Sequence, residues 1–264
     1  MSAVFTKRME VISYNIWDLP LWFVRDRRNR LMAIARELVA RGTDIICLQE
    51  SWSLAHRNAF SHFMRTHGYH DAIDHAGIKR KNGGLLTFSR FPIQSVRFIP
   101  FGRRSLSVSE IIGNKGVLET IVQTPKGLLR ILNIHLHHNS SKHFKTDSIR
   151  LRQLGMLFAD LSTQETLPAV IAGDFNQHDM LNQPAFADLF QKNNFVYHAD
   201  ESLPTYRTDN HFVDTWINRI PSSECYDYIL TKDIERLGMH VQSYAPWYIA
   251  PPLSDHDPVV LKLE

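Results

Sequence analysis

The chain has 264 residues, 44% hydrophobic and 22% charged, enough apolar material for a sizeable core, which excludes intrinsic disorder. Thirty Lys and Arg against 27 Asp and Glu leave a net charge of +3, a mild bias toward anionic partners that falls short of a dedicated nucleic-acid binder. No run of about 18 uncharged apolar residues occurs, and the opening MSAVFTKRMEVISYNI lacks the apolar stretch of a signal sequence. No membrane-spanning segment is therefore expected, and a cytoplasmic location is the expectation. Both cysteines, Cys47 and Cys225, lie in apolar runs, which suits buried thiols in a reducing compartment better than a disulfide framework.

Alternation over residues 9–14 predicts a strand, and residues 26–41 an amphipathic helix that buries Leu31, Ile34, Ala35, Leu38 and Val39 and stops at Gly42. Residues 44–48 form a continuously apolar run, the pattern of a strand buried on both faces, and end in the polar pair Gln49-Glu50. A helix follows over 54–67, then strands over 84–89, 96–101, 116–123 and 128–136, and a helix over 146–162 with Leu154, Leu157, Phe158 and Leu161 as its buried stripe. The apolar run 169–172 leads into Gly173-Asp174-Phe175-Asn176, and late strands over 226–230 and 259–263 bracket Ser254-Asp255-His256. Strand–helix alternation with consecutive hairpin-like strands predicts an α/β fold in which two mixed sheets pack face to face under helices. One domain over 1–264 is expected, with no internal repeat. Residues 198–224, polar with Pro204, Tyr206 and Trp216, read as a substrate-shaping excursion.

The polar residues that interrupt these buried strands are Asn15, Glu50, His135, Asp174, Asn176, Asp227, Asp255 and His256. An Asp or Asn after a strand is, taken alone, more often a turn former than a catalyst. His135, His137 and His138 place imidazoles on one strand as a zinc site would, but no closed set of ligands accompanies them.

Taken in order, Tyr-Asn at 14–15, Leu-Gln-Glu at 48–50, Asn-Ile-His at 133–135, Gly-Asp-Phe-Asn at 173–176 and Ser-Asp-His at 254–256 resemble the endonuclease/exonuclease/phosphatase superfamily, with Cys225-Tyr226 before Asp227 departing from the usual nuclease and 5-phosphatase patterns. The resemblance covers nearly the whole chain. It implies a DNase I-like four-layer sandwich and a metal-dependent phosphodiesterase, in which water attacks the phosphorus in line. Carried over residue by residue, His256 is the base and Asp227 its orienting partner. Asp174 and Asn176, alternating on one side of their segment, face the scissile phosphate, and His135 donates to a phosphoryl oxygen. Glu50, Asn15 and Asp255 form the metal site, with Asn15 orienting Glu50 or a metal-bound water. Hard oxygen ligands suit magnesium, with manganese as the alternative ion.

Within that superfamily, Ser13-Tyr14-Asn15-Ile16-Trp17-Asp18-Leu19-Pro20 is most similar to the opening of neutral sphingomyelinases, and Gly113-Asn114-Lys115-Gly116 to a segment shared by sphingomyelinases and inositol polyphosphate 5-phosphatases. That turn would present Lys115 to phosphate or to a carboxylate such as Glu110, or be an ordinary hairpin turn. Trp17, Leu19, Leu21, Trp22 and Phe23 precede Arg25, Arg27 and Arg28, and Trp247, Tyr248 and Ile249 form a second apolar cluster. If exposed they suit peripheral contact with a lipid interface; if buried they are core. Trp17 and Lys115 are thus the candidate substrate-binding residues. The expected substrate is a phospholipid headgroup ester. A nuclease of the same fold is the alternative, an inositol phosphate phosphatase a weaker one, and a catalytically silent binding module is disfavoured because every principal acidic and histidine position is present. Oligomeric state is not legible.

Overall fold

The computed structural model describes residues 8–22, 24–72, 82–102, 113–138, 146–213 and 220–264. Its strands are β1 (Met9–Asn15), β2 (Ile45–Gln49), β3 (His70–Asp71), β4 (Leu86–Ser89), β5 (Ile93–Pro100), β6 (Gly116–Thr124), β7 (Gly127–His135), β8 (Ala169–Asp174), β9 (Val196–His198), β10 (Asp227–Lys232), β11 (Val241–Pro246) and β12 (Val259–Leu263). The helices are α1 (Arg27–Arg41), α2 (Leu54–Thr66), α3 (Thr146–Leu161) and α4 (Pro184–Lys192). Two six-stranded sheets result, in the orders β11-β12-β1-β2-β4-β3 and β5-β6-β7-β8-β10-β9.

Each sheet has one parallel pair at its centre, β1 with β2 and β7 with β8, and antiparallel neighbours elsewhere. A parallel pair needs a crossover, which α1 supplies in the first sheet and α3 in the second. Both pairs are buried on both faces, as their unbroken apolar runs predict. Val11, Ile45, Leu118, Ile131, Val170 and Leu261 fill the space between the sheets. Ile12, Leu31, Ile34, Phe60 and Phe88 pack the first sheet against α1 and α2, while Leu132, Leu154, Phe158, Phe186 and Phe190 pack the second against α3 and α4. This is the expected four-layer sandwich of helix, sheet, sheet and helix.

The departures have local causes. The strand expected from 84 begins at Leu86, because Gly83 and Gly84 take positive φ in a turn. α4 was not read from the sequence: it is only nine residues long, opens on Pro184 as a first helical residue and buries just Phe186 and Phe190. β3, β9 and β11 are short or edge strands without an apolar run, and they depend on their partners. α1 stops at Gly42 (φ 79°), whose N–H bonds Val39 O. Cys47 and Cys225 are buried free thiols, both pushed up to about 12 by burial.

One residue of α1 ties the fold to the site. Arg30 is 5% exposed, and its guanidinium donates to the carbonyls of Ile16, Trp17, Arg25 and Leu253 while lying 5.4 Å from the Trp17 ring and 5.1 Å from that of Phe212. It thereby joins the segment after β1 to the segment before β12. Arg30→Met would keep the length and strand four carbonyls, so a loss of roughly 3 kcal/mol or more in chemical denaturation is expected.

Candidate active site

The strand order brings the polar strand ends to one edge. Asn15 closes β1 and Glu50 follows β2, while in the second sheet His135 pairs with Asp174 and Asp174 with Asp227 across three adjacent strands. Asp255 and His256 arrive on the segment before β12, beside β1. Loops that leave the carboxyl ends of parallel strands are where α/β folds place ligands.

His256 Nδ1 lies 2.7 Å from Asp227 Oδ2, and its Nε2 points toward Asp174 Oδ2 at 3.7 Å. Asn15 Nδ2 donates to that same Asp174 oxygen at 3.0 Å, and Asn176 N–H donates to Asp174 Oδ1 at 2.8 Å. His135 Nε2 stands 3.7 Å from Asp174 Oδ2 and 3.9 Å from Glu50 Oε1. Six of these side chains are almost fully buried: Asn15, His135, Asp174, Asp227, Asp255 and His256.

Burial sets the charges. Desolvation, then the Asp255 charge, pushes Glu50 up to about 8; desolvation also raises Asp227 and Asp255 to about 6 each, against the opposing pull of His256. Desolvation, then the Lys115 charge, lowers His135 to about 3, so it is neutral near pH 7. Burial opposes the imidazolium of His256, yet Asp227 and Asp174 together hold it well above its ordinary value. Burial likewise opposes the Asp174 carboxylate, and His256, His135 and Asn15 outweigh it and lower its pKa.

Three expectations are corrected. Asn176 does not alternate with Asp174 along a strand: β8 ends at Asp174, and Asn176 occupies a left-handed turn (φ 51°) with Nδ2 bonded to Leu136 O and Oδ1 to His138 Nδ1. Asn15 contacts Asp174 and not Glu50, its Oδ1 accepting the Trp17 N–H at 3.1 Å. Trp17 is 5% exposed and packs edge-on against Phe212, so it is a buried ring and not an interfacial one. Lys115 is 5% exposed, near enough to Glu50 and His135 to shift both, and its Nζ donates to Leu136 O at 2.7 Å. The glycine before it has a packing cause: a Cβ at Gly113 would come within 2.9 Å of the Trp52 ring. Glu110, Phe23 and Trp216 lie outside the described residues.

The sequence reading missed the groups that hold this edge together. Below Glu50 and His135, Gln49 Nε2 donates to Ser13 Oγ and Asn133 Oδ1, and Asn133 Nδ2 donates to Leu48 O and Leu86 O, linking the two sheets through a buried polar floor. The available signal was two amides inside otherwise apolar strands. Residues 198–224 contribute Thr205, Tyr206 and Asn210. Tyr206 sits edge-on to His256 at 4.9 Å, and Asn210 Nδ2 donates to Ser254 O. Thr205, fully buried, donates from Oγ1 to Asp227 Oδ2 at 2.7 Å, and its carbonyl accepts the Asp257 N–H. It therefore fixes the carboxylate oxygen that orients His256. Thr205→Val should lower kcat roughly tenfold, the worth of one hydrogen bond to a charged group, with KM unchanged and with Thr205→Ser restoring the rate.

Whether a cation fits can be tested on the donors. Glu50 Oε2 is buried with no hydrogen-bond partner among the described residues, and the charges of four carboxylates, two imidazoles and the Lys115 ammonium act on one another here. The carboxylates of Glu50, Asp255 and Asp174, close enough for their charges to act on one another, supply hard oxygens, and His135 Nε2 stands 3.9 Å from Glu50 Oε1 as the nearby nitrogen. This set suits magnesium. Asp174, Asp227 and His256 also offer ligand atoms within 4.8 Å of one another, but a cation on His256 Nε2 would occupy the nitrogen aimed at Asp174 that a general base needs, so Glu50 is the better centre.

The family model described as "Endonuclease/Exonuclease/phosphatase family" matches residues 12–256. A candidate neutral sphingomyelinase of Drosophila melanogaster is 25% identical over 175 residues, 64% of this chain and 39% of that protein. An inositol phosphosphingolipids phospholipase C of Schizosaccharomyces pombe is 28% identical over 184 residues, 67% of this chain and 43% of that protein. The chain thus matches about two fifths of the length of these relatives. A crystal structure of a Staphylococcus aureus beta toxin variant with bound magnesium ions superimposes with a TM-score of 0.71 at 17% identity, covering 97% of this chain and 99% of that one.

Proposed function

Because the chain belongs to the endonuclease/exonuclease/phosphatase family, we propose that residues 1–264 act as one magnesium-dependent phosphodiesterase domain that releases the phosphorylated headgroup of a phospholipid. The observation that carries the reading is the Asp227–His256 pair aimed at Asp174, together with the buried, unpartnered Oε2 of Glu50. The lipid class is supported by the names of two of the relatives, a neutral sphingomyelinase and an inositol phosphosphingolipids phospholipase C.

Glu50, with Asp255 and Asn15, would hold the cation. Bound there, magnesium supplies neutralisation of charge on the phosphoryl oxygens. His256 would take the proton of the attacking water at Nε2 while Asp227 steadies Nδ1–H, the neutral imidazole being favoured wherever the surrounding carboxylates are charge-balanced. Asp174, fixed by Asn15 and the Asn176 N–H, orients that water. Neutral His135 would donate to a phosphoryl oxygen, and the second N–H of the Asn176 amide would do the same. Tyr206 covers His256 and limits the approach of bulk water.

The test compares sphingomyelin and lysophospholipid vesicles with single- and double-stranded DNA, with magnesium and with chelator. Magnesium-dependent headgroup release with intact DNA is expected. DNA cleavage with inert lipids would overturn the lipid class and assign the same residues to a nuclease.

A further inference from the structure

Among the described residues, five large apolar side chains are prominently exposed: Leu21, Trp22, Leu54, Val196 and Tyr248. Four of them lie on or at the end of the connections that carry the site residues. Leu21 (44% exposed) and Trp22 (80%) follow Asn15 between β1 and α1; Leu54 (53%) opens α2, directly after the connection that carries Glu50; Tyr248 (43%) precedes Asp255 and His256 between β11 and β12. Val196 is the exception, paired with Thr231 toward the far end of β10 from Asp227.

The β1–α1 connection is anchored at its root and exposed at its tip. Asp18 is fully buried; its backbone N–H bonds Glu50 O, and its carboxylate takes Ser53 N–H, His56 Nδ1 and Arg27 Nη1. That junction also brings Leu54, the residue after Ser53, toward the same loop. Beyond it the chain turns tightly, Val24 N–H bonding Leu21 O, and leaves Trp22 outward. The exposed charges beside the tip are Arg25, Asp26 and Arg28, with a cationic balance. An exposed tryptophan with flanking arginines on a hydrogen-bonded base suits an interface that is apolar beneath and anionic at its surface.

We propose that Leu21, Trp22 and Leu54, with Arg25 and Arg28, form a docking surface for anionic phospholipid bilayers, set beside the catalytic edge. The proposal rests on the lipid reading of the site and adds the surface through which the protein would reach its substrate. Because the loop root is hydrogen-bonded to the backbone of Glu50, seating the tip in a bilayer sets the distance from the site to the headgroups.

The experiment is co-sedimentation of the full chain with phosphatidylcholine vesicles, with and without phosphatidylserine, alongside hydrolysis of soluble bis-(p-nitrophenyl) phosphate. Trp22→Ser should lower the partition onto phosphatidylserine vesicles by about tenfold or more, the worth of burying one large apolar side chain. Arg25→Ala with Arg28→Ala should lower it about tenfold on those vesicles and leave the phosphatidylcholine partition unchanged. Hydrolysis of the soluble ester should be unchanged in all of these variants, and Leu21→Ser provides a second apolar probe. Equal partition of the parent chain and Trp22→Ser would overturn the docking surface even if vesicle lipids are cleaved. Trp22-dependent self-association in the absence of vesicles would overturn it in favour of a protein contact. Trp22-dependent vesicle binding would sustain it even if the vesicle lipids are not cleaved, the failure then falling on the substrate reading.

Discussion

Replacing His256 with alanine should lower the turnover of phosphodiester hydrolysis by about 10²–10⁴-fold with the fold intact. The imidazole is the one group whose free nitrogen faces Asp174 while its other nitrogen is held by a buried carboxylate at 2.7 Å, the arrangement a general base needs to shuttle a proton. The loss should fall equally on kcat and kcat/KM, because the proton moves only on the way to the transition state. Thermal melting checks the fold, and Thr205 continues to bond Asp227 Oδ2 in the variant. Asp174→Ala should cost about 10²-fold or more, since four partners, Asn15, Asn176, His135 and His256, converge on that one carboxylate. Full activity in the His256→Ala protein would overturn the mechanism, and full activity in the Asp174→Ala protein would remove that carboxylate from it.

The parts of this site legible in the sequence are those where a polar residue interrupts a run buried on both faces. Asp174 after Ala-Val-Ile-Ala-Gly and Glu50 after Ile-Ile-Cys-Leu-Gln have no packing reason to be there, and the paired strands β1–β2 and β7–β8 bring such ends together. What the sequence conceals is tertiary. Thr205 is an ordinary loop threonine until its segment crosses Asp227, and Arg30 is one of several arginines in a charged stretch until four carbonyls converge on it. The aromatics after Asn15 formed a single apolar cluster in one dimension. The backbone separates them, because a left-handed Trp17 (φ 49°) turns its ring inward while Trp22 is left outside. α4 and β11 escaped for the opposite reason: each is too short to show a period, and each gains its structure from the layer it covers.

Glu50→Gln should raise the magnesium concentration for half-maximal rate by about tenfold or more, without lowering the thermal stability of the metal-free protein. The two halves of the expectation have one cause. Burial pushes the Glu50 carboxyl up to about 8, and Oε2 has no hydrogen-bond partner among the described residues, so in the absence of a cation its charge is a cost to the fold. An amide of the same shape removes that cost but offers a cation one neutral oxygen in place of a carboxylate. A residue retained for packing would behave the other way, losing stability and leaving the magnesium requirement alone. Titrating magnesium against rate, and by calorimetry against binding, separates the cases. A raised requirement with unchanged or higher stability assigns Glu50 to the cation. An unchanged requirement removes it, and the trio Asp174, Asp227 and His256 becomes the place to look for the metal.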